Sequence, residues 1–191
     1  PIWLSLGDIA VGNGADVKVD SITLLPEVTS LLSDVKVIRY IDIDRVALTQ
    51  AGAARIKDWI KPDDTPAQVR VRGVRIGGIS LALDAGKLGP FDATAALKED
   101  GALESASLRS TDDKLRVTVR PEGKGVAIDL AATSWVPPLG PQVPFETLVA
   151  KAIAGGDGVQ VSSITGRALG GSLDGRLSLD WKKGMSLRSE E

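Results

Sequence analysis

Apolar and polar residues alternate along most of this chain. Val17 and Val19 alternate with Lys18 and Asp20, Ile41 and Ile43 with Asp42 and Asp44, and Leu115, Val117 and Val119 with Arg116 and Thr118. Val126, Ile128 and Leu130 alternate with Ala127 and Asp129. Near the end, Leu173, Leu177, Leu179 and Trp181 share one parity with Gly175, against Asp174, Arg176, Ser178 and Asp180. A period of two sends successive side chains to opposite faces of a strand, so each run has one apolar face and one wet face. Runs of this kind predict antiparallel character, because strands buried on both sides of a parallel sheet read as continuous apolar stretches.

Two runs change parity part-way. In residues 35–48 the odd apolar set gives way to Val46 and Leu48, and in residues 69–76 the set slips at Gly73. A slip inside a strand signature predicts a β-bulge or a sharp bend, with a register break between two short strands as the alternative. Turn signals separate the runs: Gly12-Asn13-Gly14, Gly77-Gly78, residues 86–90, Glu99-Asp100-Gly101, Thr111-Asp112-Asp113, Glu122-Gly123-Lys124 and Gly170-Gly171. The spacing is that of a meander of hairpins.

Three stretches read as short helices. Residues 25–34 carry Pro26 near the start and Leu31-Leu32 as an apolar anchor. In residues 50–61, Ala53, Ile56, Trp59 and Ile60 fall on one side of a helix that Pro62 stops. In residues 145–154, Phe145, Leu148, Val149, Ala152 and Ile153 recur at helical spacing before Gly155-Gly156. The Pro-rich run before it, residues 137–144, predicts an extended linker without regular ladder bonds. The fold expected is mostly β: an elongated antiparallel sheet curved into a taco-like groove or an incomplete sandwich, with two or three short helices. We expect one domain over residues 1–182, softly divided at 135–144, with residues 183–191 as a tail.

Composition narrows the function. The chain has 191 residues, with 23 Lys and Arg against 25 Asp and Glu, so no excess of positive charge recommends a nucleic-acid partner. It holds no Cys and no His, which removes the usual zinc, haem and thiol sites and every triad that uses His as base. The chain opens on Pro1 and carries no signal peptide and no apolar run long enough for a membrane helix. The expectation is a segment of a longer protein whose targeting signal or anchor lies elsewhere.

Little polar chemistry converges. The carboxylate pairs Asp63 with Asp64, Glu99 with Asp100 and Asp112 with Asp113 fall in predicted turns, where solvation explains them better than acid–base work. Asp42 and Asp44 lie on the polar side of a strand, where cross-strand Lys or Arg suffices. Asp8, Asn13, Asp16 and Asp20 lack the fixed spacing of a calcium loop. Glycines at 7, 12 and 14 precede a strand and not a helix, so they form no phosphate-binding fingerprint. No catalytic residue, metal or cofactor is expected, and we read the chain as a non-enzyme. What stands out is aliphatic. An apolar sheet face must be covered by a second layer, by helices or by a ligand. The face expected to contact lipid comprises Leu115, Val117, Val119, Val126, Ile128, Leu130, Leu177, Leu179 and Trp181.

The residue pattern resembles the AsmA-like group of bacterial envelope proteins. A strand beginning at Val17 leads through Leu31-Leu32 into the apolar–acidic alternation Ile41-Asp42-Ile43-Asp44, and residues 164–181 carry a Gly-Gly, Gly, Leu, Trp pattern similar to that group's. Residues 135–145 fit as well. The motifs are degenerate but cover most of the chain. Grooves of lipopolysaccharide transport and the type II secretion N component are similar in pattern, and residues 170–177 suit the latter. The AsmA-like resemblance implies a periplasmic β groove held at a Gram-negative inner membrane by an N-terminal helix. It implies transfer of phospholipid or another acyl-chain lipid between membranes, in support of the outer membrane. It implies no cofactor. The alternative is a structural or protein-binding β module of the envelope, joined to other envelope proteins.

Overall fold

The alternating runs are strands. The computed structural model describes residues 2–12, 16–52, 68–84, 86–138, 142–156, 158–180 and 184–188. The chain divides into two compact units, Pro1–Glu104 and Ser105–Glu191. The first holds β1 (Leu4–Val11), β2 (Val17–Pro26), β3 (Lys36–Thr49), β4 (Val69–Val71), β5 (Gly73–Leu83) and β6 (Gly86–Leu97). The second holds most of β7 (Leu103–Ser110), then β8 (Leu115–Glu122), β9 (Gly125–Trp135), β10 (Phe145–Gly155), β11 (Gly158–Ala168), β12 (Gly171–Asp180) and β13 (Gly184–Arg188). The fold is mostly β, and the sheet is not closed into a barrel.

In the first unit the strand order is β1-β2-β3-β5-β6, with β4 also beside β3. Neighbours run antiparallel except where β3 meets β4 and β5, which are parallel to it. A parallel pair needs a crossover between its strands; the crossover here includes residues 53–67, outside the described residues.

A line of irregularity crosses this unit at one rung. Gly7 pairs Ser21 and Ile9 pairs Val19, so Asp8 faces Asp20; Ser21 pairs Asp44 and Val19 pairs Val46, so Asp20 faces Arg45. Asp44 pairs Gly77 and Ala47 pairs Ser80, which sets Arg45 against Gly78. Asp8, Arg45 and Gly78 all take positive φ, at 53°, 50° and 63°. Each conformation turns the strand over, so the apolar set changes parity there: Leu4 and Leu6 to Ile9 in β1, Ile41 and Ile43 to Val46 in β3, Val74 and Ile76 to Ile79 in β5. One apolar face therefore survives across all the strands. Its best-buried part lies beside this line, where Val17, Val19 and Val46 pack with Ile9, Ile43 and Ile79. The Arg45 guanidinium closes the line on the polar side, with Nε 2.7 Å from Asp20 Oδ2.

The slip expected near Val46 is a parity change at Arg45, where φ is positive, and not an inserted residue: the pairing of β3 with β2 and β5 keeps the same offset on both sides. The slip at Gly73 is a break: β4 ends at Val71, β5 begins at Gly73, and the pairing with β3 keeps the same offset on both sides. Two expected turns lie inside strands instead. Gly77-Gly78 is within β5 and residues 86–90 are within β6. The turns at residues 99–101 and 111–113 stand between strands as expected; of the turns expected at residues 122–124 and 170–171, Glu122 ends β8 and Gly171 begins β12. Of the turn expected at residues 12–14, Asn13 and Gly14 lie outside the described residues.

Of the expected helices, residues 25–34 contain a 3-10 turn, Val28–Leu32. Gln50, Ala51 and Gly52 are helical, and the rest of that expected helix, with Trp59, lies outside the described residues. The expected helix at residues 145–154 is wrong: Phe145–Gly155 is a strand, paired with β9 on one side and β11 on the other. Leu148, Ala150, Ala152 and Ala154 alternate as well as they fit a helix, and two ready ladder partners outweigh the weak strand preference of alanine. Of the expected linker, residues 137–138 and 142–144 lie between β9 and β10, and residues 139–141 lie outside the described residues.

Candidate functional site

Register in the second unit gathers the aliphatic residues. β8 sets Leu115, Val117 and Val119 opposite Ala132, Leu130 and Ile128 of β9. The same β9 residues stand opposite Leu148, Ala150 and Ala152 of β10, and Val126 stands opposite Ala154. β10 passes the row to Gly166, Ile164, Val161 and Val159 of β11. β11 passes it to Leu173, Gly175, Leu177 and Leu179 of β12. Directly paired residues share a face, so this row is one apolar surface spanning β8 to β12. On the other side of β8, Leu108 and Ala106 of β7 extend it.

One irregularity on the way is corrected within the fold. Lys151 pairs Ser163 and Ala152 pairs Val161, leaving Ser162 as an extra residue in β11. The bulge turns β11 over between Val161 and Ile164, which keeps both on the apolar side. The Ser162 hydroxyl donates to the Lys151 carbonyl at 3.2 Å, so the bulged residue has a partner.

The opposite face carries ion pairs beside Val149 and Ile153, which are 46% and 45% exposed. Arg120 donates to Asp129 at 3.0 Å, Lys151 stands 4.0 Å from the same carboxylate, and Arg167 stands 3.7 Å from Glu146. These groups keep that face in water.

Burial of the apolar face is uneven. Along β8 to β11, Leu115 and Ala132 are buried, at 7% and 4% exposure, while Val117, Val119, Ile128, Leu130, Val161 and Ile164 are only half-buried. In the ladder each of them stands beside residues of the adjoining strands. With strands about 4.8 Å apart and same-face residues about 6.8 Å apart along each strand, the surface measures on the order of 500 Å². That is about the size of the largest apolar patch on a typical monomer, and such patches are often functional.

The sequence-predicted residues fall on this surface. Val117 and Val119 stand opposite Leu130 and Ile128, Leu115 stands opposite Ala132, Val126 continues the β9 row opposite Pro121, and Leu177 joins it across β10 and β11; the backbone of Leu179 pairs Val159. Trp181 lies outside the described residues. Sequence reading missed Leu148, Ala150, Ala152, Val159, Val161 and Ile164. The first three were hidden by the helical reading of β10, and the others by the parity change at Ser162.

Polar side chains also gather: Ser162, Ser163, Thr165, Asp174 and Arg176 line one cavity with Ile164 and Gly175. Among the described residues no group of three or more Asp, Glu, His or Cys is placed to hold a metal ion. Asp112 has its carboxyl below the usual carboxylate value, first through the Ser110 hydroxyl, which donates at 2.6 Å, and then through the Lys114 N–H. These bonds tie the β7–β8 turn and leave the carboxylate in solvent. Among the described residues no helix is long and apolar enough to cross a membrane. No protein-family model matches the chain, and comparison with curated proteins returns no significant match.

Proposed function

We propose that the apolar face of β7 to β12 binds acyl chains, and that the chain is a non-enzymatic, periplasmic part of a membrane-anchored protein that passes phospholipid between inner and outer membranes. The observation that supports this reading is the continuous aliphatic row from Leu115 and Val117 to Leu177, part-buried along its middle. A row of methyl groups without directed donors or acceptors suits a ligand that is itself a hydrocarbon chain. Each methylene removed from water gains about 0.8 kcal/mol. About ten of them gain about 8 kcal/mol, the scale of micromolar binding before the cost of immobilising the lipid. The periplasmic setting, the membrane anchor and the role in outer-membrane integrity rest on the AsmA-like resemblance of residues 17–48 and 164–181. The test is native mass spectrometry of the chain purified from a Gram-negative host, with organic extraction in parallel. Copurified phospholipid, lost on Val119→Ser with Ile128→Ser, is the expected result; an empty protein that also takes up no added phospholipid refutes it.

A second reading has its own observation. β1 is an edge strand whose Leu4 and Leu6 are 58% and 53% exposed, and such an edge can accept a strand from another envelope protein. A β1 edge blocked by Ser5→Pro would then abolish partner capture and leave lipid content unchanged.

A further inference from the structure

Exposed apolar residues of the first unit gather at one end of its sheet. The 3-10 turn Val28–Leu32 joins β2 to β3 there, and Leu32 is 98% exposed, Val28 53% and Leu31 39%. Leu4 pairs Leu24, so Ile2 and Trp3, 58% and 63% exposed, lead into β1 at the same end. Val69, 49% exposed, pairs Lys36 and adds to it. The turn is held firmly. The buried Ser30 hydroxyl donates to the Glu27 carbonyl at 2.7 Å and accepts the Val37 N–H at 2.8 Å, and the Ser33 N–H returns to the Ser30 carbonyl. Leu31 and Leu32 are therefore presented by a fixed scaffold. Cations stand behind them: Lys36 and Arg39 in β3, and Arg72, which is 3.3 Å from Glu27.

From this placement we propose that this end of the first unit docks on a phospholipid bilayer surface, with Leu31, Leu32 and Trp3 entering the interface. The proposal does not depend on the acyl-chain reading of the second unit. Chemistry and shape favour a bilayer over a protein. Leu32 projects from a convex turn, and a protein partner would need a cavity shaped to receive it, whereas the acyl boundary yields to any apolar projection. Trp is at home at the headgroup level, and Lys and Arg stems reach back to the headgroups while their charges stay wet. Two such tips set against each other would cover far less than the roughly 1,000 Å² that a stable dimer needs. Local anions, Glu27 and Asp34, largely offset the cations, so burial of apolar side chains drives the contact and zwitterionic lipid suffices.

The test is co-sedimentation of the full 191-residue chain with sucrose-loaded phosphatidylcholine vesicles. The chain is expected to pellet with the vesicles. Leu31→Asp with Leu32→Asp is expected to lower the partition coefficient by about a hundredfold, roughly tenfold for each leucine kept out of the interface. Both sites are already exposed, and an unchanged circular dichroism spectrum confirms that the variant folds. Val119→Ser with Ile128→Ser, on the acyl-chain face, is expected to pellet like the wild type whether or not it still carries lipid. The proposal is overturned if the wild type stays in the supernatant, if the double Asp variant pellets unchanged, or if only the Val119 and Ile128 changes abolish pelleting.

Discussion

A sheet face buried at one end and only part-buried at its middle makes different demands on its side chains. Consider truncating Leu115 and, separately, Ile128. Leu115 is 7% exposed and stands opposite Ala132, itself 4% exposed; it sits where β8 begins, with its N–H held by the Ser110 hydroxyl at 3.0 Å. Ile128 lies at the middle of the face between Val119 and Ala152 and is only half-buried. In an enclosed core either truncation to Ala would cost 2–5 kcal/mol, part of it for the cavity left behind. On an open face, water or neighbouring side chains fill the gap and the cavity part vanishes. Leu115→Ala should therefore cost about 2–3 kcal/mol and Ile128→Ala about 1 kcal/mol. Native-state hydrogen exchange in rising urea, read on peptides from β8, β9 and β10, reports the second unit separately from the first. Equal losses of 3 kcal/mol or more at both sites would refute the reasoning, because Ile128 would then have a covering layer.

Other consequences follow from single contacts. A Cβ on Gly125 would lie 2.3 Å from the Ala154 carbonyl oxygen, whereas one on Gly175 meets nothing within 4 Å. Gly125→Ala should thus lower stability by about 2 kcal/mol, and Gly175→Ala should leave it within about 0.5 kcal/mol, both measured by urea denaturation. Arg75 makes two bonds to Asp42, at 2.6 and 2.9 Å, and lies 4.4 Å over the Tyr40 ring. With both partners more than a third exposed, Arg75→Ala should cost about 1 kcal/mol or less, and less again in high salt; Arg75→Lys should recover only part of it, since it loses the fork and the stacking. The Asp112 carboxyl titrates below its ordinary 3.8, so its ionised form favours the folded turn. That contribution is present above this value and is lost as the pH falls through the lower folded-state value. Amide exchange at Lys114 and Leu115 should quicken on acidification through that window, and Asp112→Asn should remove the dependence.

The sequence showed the strands readily where one face is apolar throughout, as in β8, β9 and β12. It also showed Leu115, Val117, Val119, Val126, Ile128 and Leu130 as one surface, because parity alone decides which side of a strand a residue takes. It failed where parity is broken by backbone conformation. Asp8 and Arg45 adopt positive φ without being glycine, and nothing in their residue types announces it. Ser162 is an extra residue that only its neighbours' register reveals. The parallel pairing of β3 with β5 was equally hidden, because each strand alternates as an antiparallel one would. In β10 the alanines satisfy two periods at once, and the choice between them is made by pairing with β9 and β11 on either side.

Site-resolved photo-crosslinking tests the central claim most directly. A phosphatidylethanolamine carrying a diazirine near the end of one acyl chain, incubated with the folded chain and irradiated, should label β8 to β12 at residues such as Val117, Ile128, Leu130, Val161 and Leu177. Arg120, Lys151 and Arg167 on the opposite face should remain unlabelled. Labelling confined to the polar face, or spread equally over both, would contradict an acyl-chain surface on the aliphatic row.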